Sequence, residues 1–159
     1  AHDYFWFEDP IPANDIESIK ELTNRLETPL NMSDTTGFLF HEAANFLHQN
    51  ATRLIRGTVR KIGITGLKKQ MALVEGFHKV CEVGLAGNSA MNVANLHVII
   101  SSVNCTYFEY WLPKEVHQWG VTEQLKINDN GNLEAPMGPG LGIELDEEWI
   151  ASHKVATLS

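Results

Sequence analysis

Cysteine is scarce in this chain. Only Cys81 and Cys105 occur in 159 residues, both in apolar strand-like or pre-strand stretches. A free thiol in such a place behaves as a small buried hydrophobe, so both are expected to be reduced and structural. Clustered positive charge is also lacking: the formal net charge is −8, and the only basic groupings are Arg56/Arg60/Lys61 and Lys68-Lys69. A nucleic-acid surface or an anionic membrane contact needs a positive field, so neither partner is expected. Lys68-Lys69 reads as a solvated helix face. No apolar run approaches the ~18 residues of a membrane span, and the N-terminus has no basic-then-apolar signal pattern. The expectation is a soluble cytoplasmic protein, in which the sequons at Asn31, Asn50 and Asn104 carry no meaning. The seven histidines form no ligand set. His41 and His48 stand seven apart on one helix face, and His97 lies in an apolar helix as a satisfied core residue. Gly138-x-Gly140-x-Gly142 lacks the strand before and the long helix after that a dinucleotide loop requires.

The chain does have apolar content, 43% of its residues, enough for one domain with a sizeable core. It also has a repeat. Strand-like runs start at residues 4, 29, 54, 80 and 106, spaced 25 or 26 apart. That interval holds one strand, one helix and two short loops, the unit of a parallel α/β fold with ligand sites at the carboxyl ends of its strands. Between the strands, Asn14 or Asp15 caps a helix with Ile16, Ile19, Leu22 and Leu26 on one face. Phe38 to Leu47 forms a second helix. Gly63-Ile64-Thr65-Gly66 offers a turn and an N-cap at Thr65 for a third, and Asn88 or Ser89 caps a fourth. The strands are expected at Tyr4–Glu8, Pro29–Asp34, Arg53–Val59, Lys79–Gly84 and Cys105–Trp111. After Pro113 the alternation stops. Val121 to Ile127, the turn Asn128–Gly131 and Ala135-Pro136 read as a hairpin and tail, Met137 to Gly142 as loop, and Asp146 to Ile150 as a last helical turn. Five units are too few to close an eight-stranded barrel, so the alternatives are a small open sheet and the back part of a larger barrel.

Three carboxylates, Glu8, Asp34 and Glu109, each close one of the runs. Gathered at one mouth they repel one another unless a cation or a substrate neutralises them. Glu8, in Trp6-Phe7-Glu8-Asp9-Pro10, is either a site group or a solvated loop residue. Asp34 alone reads as a helix cap. Together, on adjacent strands, they are oxygen ligands of the kind Mg²⁺ takes, where zinc would want His or Cys. Glu109, between Phe108 and Tyr110, is expected in an apolar setting suited to a protonated acid, or else solvated at a strand end. Glu82 is expected in a structural ion pair. Arg56 and Arg60 lie near the end of the third strand, to meet a substrate carboxylate or to pair with Asp34 or Glu8.

With these residues placed, the chain resembles the enolase superfamily, in its mandelate racemase/muconate lactonising branch, over nearly its whole length. The matching blocks are Trp6-Phe7-Glu8-Asp9-Pro10, Pro29-Leu30-Asn31-Met32-Ser33-Asp34, Gly63-Ile64-Thr65, Asn95-Leu96-His97, Tyr107-Phe108-Glu109 and Pro136 to Gly142. The resemblance implies strands four to eight of a (β/α)₈ barrel, with residues 1–113 as partial barrel and 114–159 as a hairpin and tail. It implies that Glu8 and Asp34 are the second and third Mg²⁺ ligands, and that Glu109 hydrogen-bonds the substrate carboxylate and stabilises an enediolate. The family's first metal ligand, its Lys-x-Lys motif and its capping domain belong to earlier strands, so the chain is expected to be a fragment. The sixth- and seventh-strand base positions fall on Gly57 and Gly84, which leaves the base unassigned; Lys61 is four residues too far along. The implied activity is that of a Mg²⁺-dependent lyase, a sugar-acid dehydratase, homo-oligomeric in full-length form. A racemase or cycloisomerase, and a non-catalytic barrel scaffold, stand as alternatives.

Overall fold

The structure is a computed structural model describing residues 2–32, 40–87 and 89–157. Its organising element is a sheet of short strands, buried throughout in β2 and β3, nearly so in β4 and more open in β1. Leu30–Met32 (β2), Leu54–Gly57 (β3) and Val80–Val83 (β4) follow Phe7–Glu8 (β1) in the spatial order β1-β2-β3-β4, every pair parallel. Near-continuous apolar residues are what a parallel strand covered on both faces requires. Between the strands run the helices Ile16–Arg25 (α1), Phe40–His48 (α2) and Val59–Gly76 (α3), with Ser89–Ile100 (α4) after β4.

Strand alternation sorts the side chains into two sets. Leu30, Met32, Ile55, Cys81 and Val83 face the helix layer and pack with Ile19, Ala43, Phe46, Leu47, Leu67, Met71, Val74 and Val98. Full burial of a Leu, Ile or Met side chain stabilises the fold by about 1.5–3 kcal/mol, so this seam holds the α/β layers together. The other set looks away from the helices. The register pairs Glu8 with Asn31 and Arg56 with Glu82, which puts these polar side chains on the inner face.

Helix ends are set by local chemistry. Asp15 caps α1 by accepting the Ser18 N–H at 3.2 Å. Helix α3 begins earlier than Thr65: Thr58 is its cap, and the chain kinks at Gly63, whose φ of 67° breaks the helix where the sequence suggested a turn. Glycine is needed there because that φ lies in the left-handed region. The Phe38 start of α2 and the Asn88 cap of α4 lie outside the described residues.

The fifth strand is corrected. Cys105 to Trp111 forms no ladder among the described residues; after a single backbone bond from Cys81 N–H to Asn104 O at 2.8 Å, the segment is held by side chains. The tail holds two short helices, Lys114–His117 (α5) and Glu147–Ser152 (α6), the latter capped by Asp146. The expected hairpin is reduced to an isolated Ile127–Leu133 bridge around the Asn128–Gly131 turn. No helix is long and apolar enough to cross a membrane among the described residues.

Candidate active site

At the carboxyl end of the sheet, Glu8 and Glu109 converge on one guanidinium. Arg56 Nη2 donates to Glu8 Oε2 at 2.6 Å and to Glu109 Oε1 at 3.2 Å. The arginine side chain is 6% exposed, against 31% for Glu8 and 42% for Glu109. Arg56 reaches this place because it alternates with Ile55, which is committed to the helix layer. Its backbone carbonyl is fixed by Gln70 Nε2 of α3 at 2.6 Å. The guanidinium also lies 5.5 Å from the centroid of the Trp6 ring, a cation–π distance. Of the two pairings expected for Arg56, the one with Glu8 is present, and Glu109 joins it.

Glu109 differs from its expectation. One carboxylate oxygen meets the guanidinium, and the other accepts the Leu85 N–H at 2.6 Å, so its partners are cationic and polar, not apolar. Glu82 differs as well. It is 1% exposed, and among the described residues its carboxylate, in place of an ion pair, accepts the N–H groups of Thr106 and Tyr107, each at 3.3 Å, and the Cys105 thiol at 3.5 Å. Asp34 lies outside the described residues, so its convergence with Glu8 is not described.

The two glycines at the expected base positions face opposite ways. A Cβ on Gly57 would stand 2.6 Å from Leu67 Cδ1 and 2.9 Å from Gln70 Nε2, inside the helix layer. That position therefore cannot present a base to the mouth, and the inward residue of β3 is Arg56. A Cβ on Gly84 would stand 3.5 Å from both Arg56 Nε and Glu109 Oε2, at the mouth. Helix α4 fixes this loop: Asn95 Nδ2 donates to Gly84 O at 2.8 Å while its Oδ1 accepts the Val59 N–H, and Asn92 Oδ1 accepts the Ala86 N–H. His97, expected to be a satisfied core residue, bonds Leu141 O through Nε2 at 3.0 Å.

Asn31 is a residue that the sequence reading did not single out. It is the register partner of Glu8, it is wholly buried, and neither Oδ1 nor Nδ2 of its amide has a hydrogen-bond partner among the described residues. The signal was an amide inside a strand buried on both faces, where an unsatisfied polar group is costly. No group of three or more His, Cys, Asp or Glu side chains able to hold a metal occurs among the described residues. The donors present are nevertheless of the hard-cation kind: the Glu8 carboxylate and, beside it, the orphaned Asn31 amide oxygen. Both cysteines are free. Burial pushes the Cys81 thiol far up, and it raises Cys105 to about 12.

The model of the family described as enolase C-terminal domain-like matches residues 1–149. The chain is 24% identical over 159 residues to D-xylonate dehydratase of Haloferax volcanii, covering 97% of this chain and 37% of that protein. It is 27% identical over 154 residues to a D-mannonate dehydratase of Caulobacter vibrioides, covering 94% and 37%. Among solved structures, it superposes with a TM-score of 0.91 on a mandelate racemase/muconate lactonizing enzyme-type protein from Pseudovibrio sp., at 26% identity over 98% of this chain and 42% of that one. D-glucarate dehydratase from Agrobacterium tumefaciens, crystallised with magnesium, gives a TM-score of 0.81 at 28% identity, covering 97% and 41%. The chain thus spans 37% of the length of the curated relatives named here, and the four parallel strands are part of a barrel. It belongs to the enolase C-terminal domain-like family, in the mandelate racemase/muconate lactonising branch.

Proposed function

We propose that the full-length protein carrying this chain is a sugar-acid dehydratase. The observation that carries the reading is the meeting of Glu8, Arg56 and Glu109 at the carboxyl end of a parallel sheet, in a chain whose similar curated relatives include dehydratases. In such a reaction a base removes the proton next to the substrate carboxylate, and the resulting enediolate expels the neighbouring hydroxyl as water. That proton is too weakly acidic for a side-chain base alone, so the developing charge has to be stabilised by its surroundings. Glu8 and Asp34 are proposed to hold a Mg²⁺, with Asn31, the register partner of Glu8, as a further oxygen donor. The ion, when bound, supplies the positive charge that steadies an enediolate.

This chain's own residues then have separable tasks. Glu109, whose Oε2 accepts the Leu85 N–H, is proposed to meet the substrate carboxylate, a contact in which it donates only when it carries a proton. Arg56 places a permanent positive charge next to it. The proton-abstracting base is assigned to strands outside this chain, because Gly57 faces the helix layer and Gly84 offers no acceptor. Residues 114–159 are read as the hairpin and tail that complete the barrel, and the whole protein as a cytoplasmic homo-oligomer.

The second reading, a non-catalytic barrel scaffold, is favoured by Gly84 standing at the mouth where a base belongs. One experiment separates the two. The full-length protein, incubated with Mg²⁺ and a panel of five- and six-carbon sugar acids in deuterium oxide, should exchange the proton next to the carboxylate and form a 2-keto-3-deoxy acid, both followed by NMR. Glu109→Gln should lower turnover by about 10²-fold or more. Absence of exchange and product across the panel from folded full-length protein would support the scaffold. The 159 residues by themselves should give neither.

A further inference from the structure

We infer that Arg56 is a resident cation that occupies Glu8 until a divalent ion displaces it, so that guanidinium and metal compete for one carboxylate. The inference rests on the metal reading of Glu8 given above. Arg56 Nη2 is closer to Glu8 than to Glu109, 2.6 Å against 3.2 Å, and the arginine side chain is almost fully buried. A charge-assisted bond of that length occupies one of the lone pairs on Glu8 Oε2 and sets a positive charge where an ion on that oxygen would stand. A divalent ion bound to Glu8 cannot share the oxygen with Arg56, because the two positive charges would stand within a few ångströms in a partly buried site.

The structure also shows where Arg56 can go. Glu109 already accepts from the same Nη2, so loss of Glu8 leaves the guanidinium paired. Gly84 flanks the arginine stem: a Cβ there would be 3.5 Å from Nε and 3.6 Å from Cδ, so a larger side chain would press on the route toward Glu109. Gly84, which carries no acid-base group, thereby acquires a role as the space in which Arg56 turns. Asn31 supports an ion at the vacated carboxylate. Its buried amide, orphaned beside Glu8, gains a partner when an ion or its water arrives and has none among the described residues otherwise.

Mn²⁺ serves as the probe because it takes the same oxygen donors as Mg²⁺ and is paramagnetic. In the full-length protein, free Mn²⁺ followed by electron spin resonance should show Arg56→Met binding the ion about tenfold or more tightly than the parent. Adding Glu8→Gln to Arg56→Met should abolish the gain. Circular dichroism checks that the variants fold. A second measurement needs no substitution: in protein labelled with ¹⁵N-arginine, Mg²⁺ should shift the side-chain signal of Arg56 while leaving it protected by Glu109. Parent and Arg56→Met binding Mn²⁺ equally at a Glu8-dependent site would overturn the competition and leave the metal reading intact. An Arg56 signal unmoved at saturating Mg²⁺ would overturn it in the same way, even if Arg56→Met did not fold. No binding by any form would overturn the inference together with the metal reading.

Discussion

The two halves of the site are fastened to the scaffold by different means. From β1 to β4, neighbours are joined by backbone ladders in which each residue has a fixed partner, such as Glu8 with Asn31, Met32 with Ile55 and Gly57 with Val83. Between β4 and residues 104–109, one backbone bond is made and side chains do the rest. Glu82 takes the N–H groups of Thr106 and Tyr107, Glu109 takes the N–H of Leu85 just past β4, and Asn104 Nδ2 ties the segment to Met71 O of α3 at 3.0 Å. A ladder spreads its strength over many weak bonds and tolerates the loss of any one side chain. A join made by carboxylates concentrates its strength in a few charge-assisted bonds, and it fixes where Glu109 lands. Acidic residues on the inner face are therefore both the chemistry of this mouth and part of its frame.

The largest expected effect breaks that second join. Glu82→Leu leaves the N–H groups of Thr106 and Tyr107 without their acceptor in a half-buried place and puts an apolar side chain among them, which should destabilise the chain by about 3 kcal/mol. Glu82→Gln, which keeps one acceptor oxygen, should lose about 1 kcal/mol. Urea unfolding gives the totals, and amide hydrogen exchange gives the distribution. Thr106 and Tyr107 should exchange much faster in Glu82→Leu while the amides of β2 to β4 stay protected. Uniform loss of protection across the sheet would mean that 104–109 is bound into the same cooperative unit as the ladders.

What the sequence revealed divides along the same line. The four laddered strands, the four long helices and the Asp15 cap follow from apolar period and capping chemistry, which act over a few residues. Cys105 to Trp111 has the same apolar and aromatic content and was expected to be a strand, yet its pairing depends on what Glu82 does 24 residues away. No local pattern records that. Thr58 caps a helical stretch ahead of Gly63 that the sequence did not suggest, because the end of β3 sets where α3 begins, and the turn expected at Gly63 is present as the break between two helical stretches. Glu8 and Glu109 were identifiable as strand-end carboxylates. Their shared partner Arg56 was open between several roles, since which face it takes depends on Ile55 being drawn to the helices. Asn31 was passed over because inside an apolar run it looked like part of the strand.

A middle-sized effect comes from the two glycines, which sort the helix-facing side of the sheet from its inner face. Gly57→Ala would push a methyl to 2.6 Å from Leu67 Cδ1 and 2.9 Å from Gln70 Nε2, disturbing the ladder side and the bond that Gln70 makes to Arg56 O. Overpacking of this kind should cost about 2 kcal/mol. At Gly84 the nearest atoms are at ordinary contact distance, 3.5 Å, so Gly84→Ala should change stability by less than about 0.5 kcal/mol. Thermal melts of the two variants test this directly. Equal losses would show that the mouth is packed as tightly as the helix layer.

The smallest effect belongs wholly to the ladder side. Asp15 caps α1, and its hydrogen bonds with Ser18 hold its carboxyl below the ordinary 3.8, since the ionised form is the better acceptor. Because the folded-state value is the lower one, folding is favoured by ionised Asp15. That contribution is complete above the unfolded value near 3.8 and disappears as pH falls through the depressed folded value. Asp15→Asn retains a capping oxygen but cannot titrate, so its stability should fall less steeply than the parent's below pH 3.8 and run parallel to it above. Denaturant unfolding at intervals from pH 5 downward measures the difference. Exchange at the first turn of α1 should follow the same curve, while Thr106 and Tyr107 respond identically in both proteins. If the Asp15→Asn change reached those two amides, the cap and the Glu82 join would be one coupled structure, and the division between laddered and side-chain-held regions would fail.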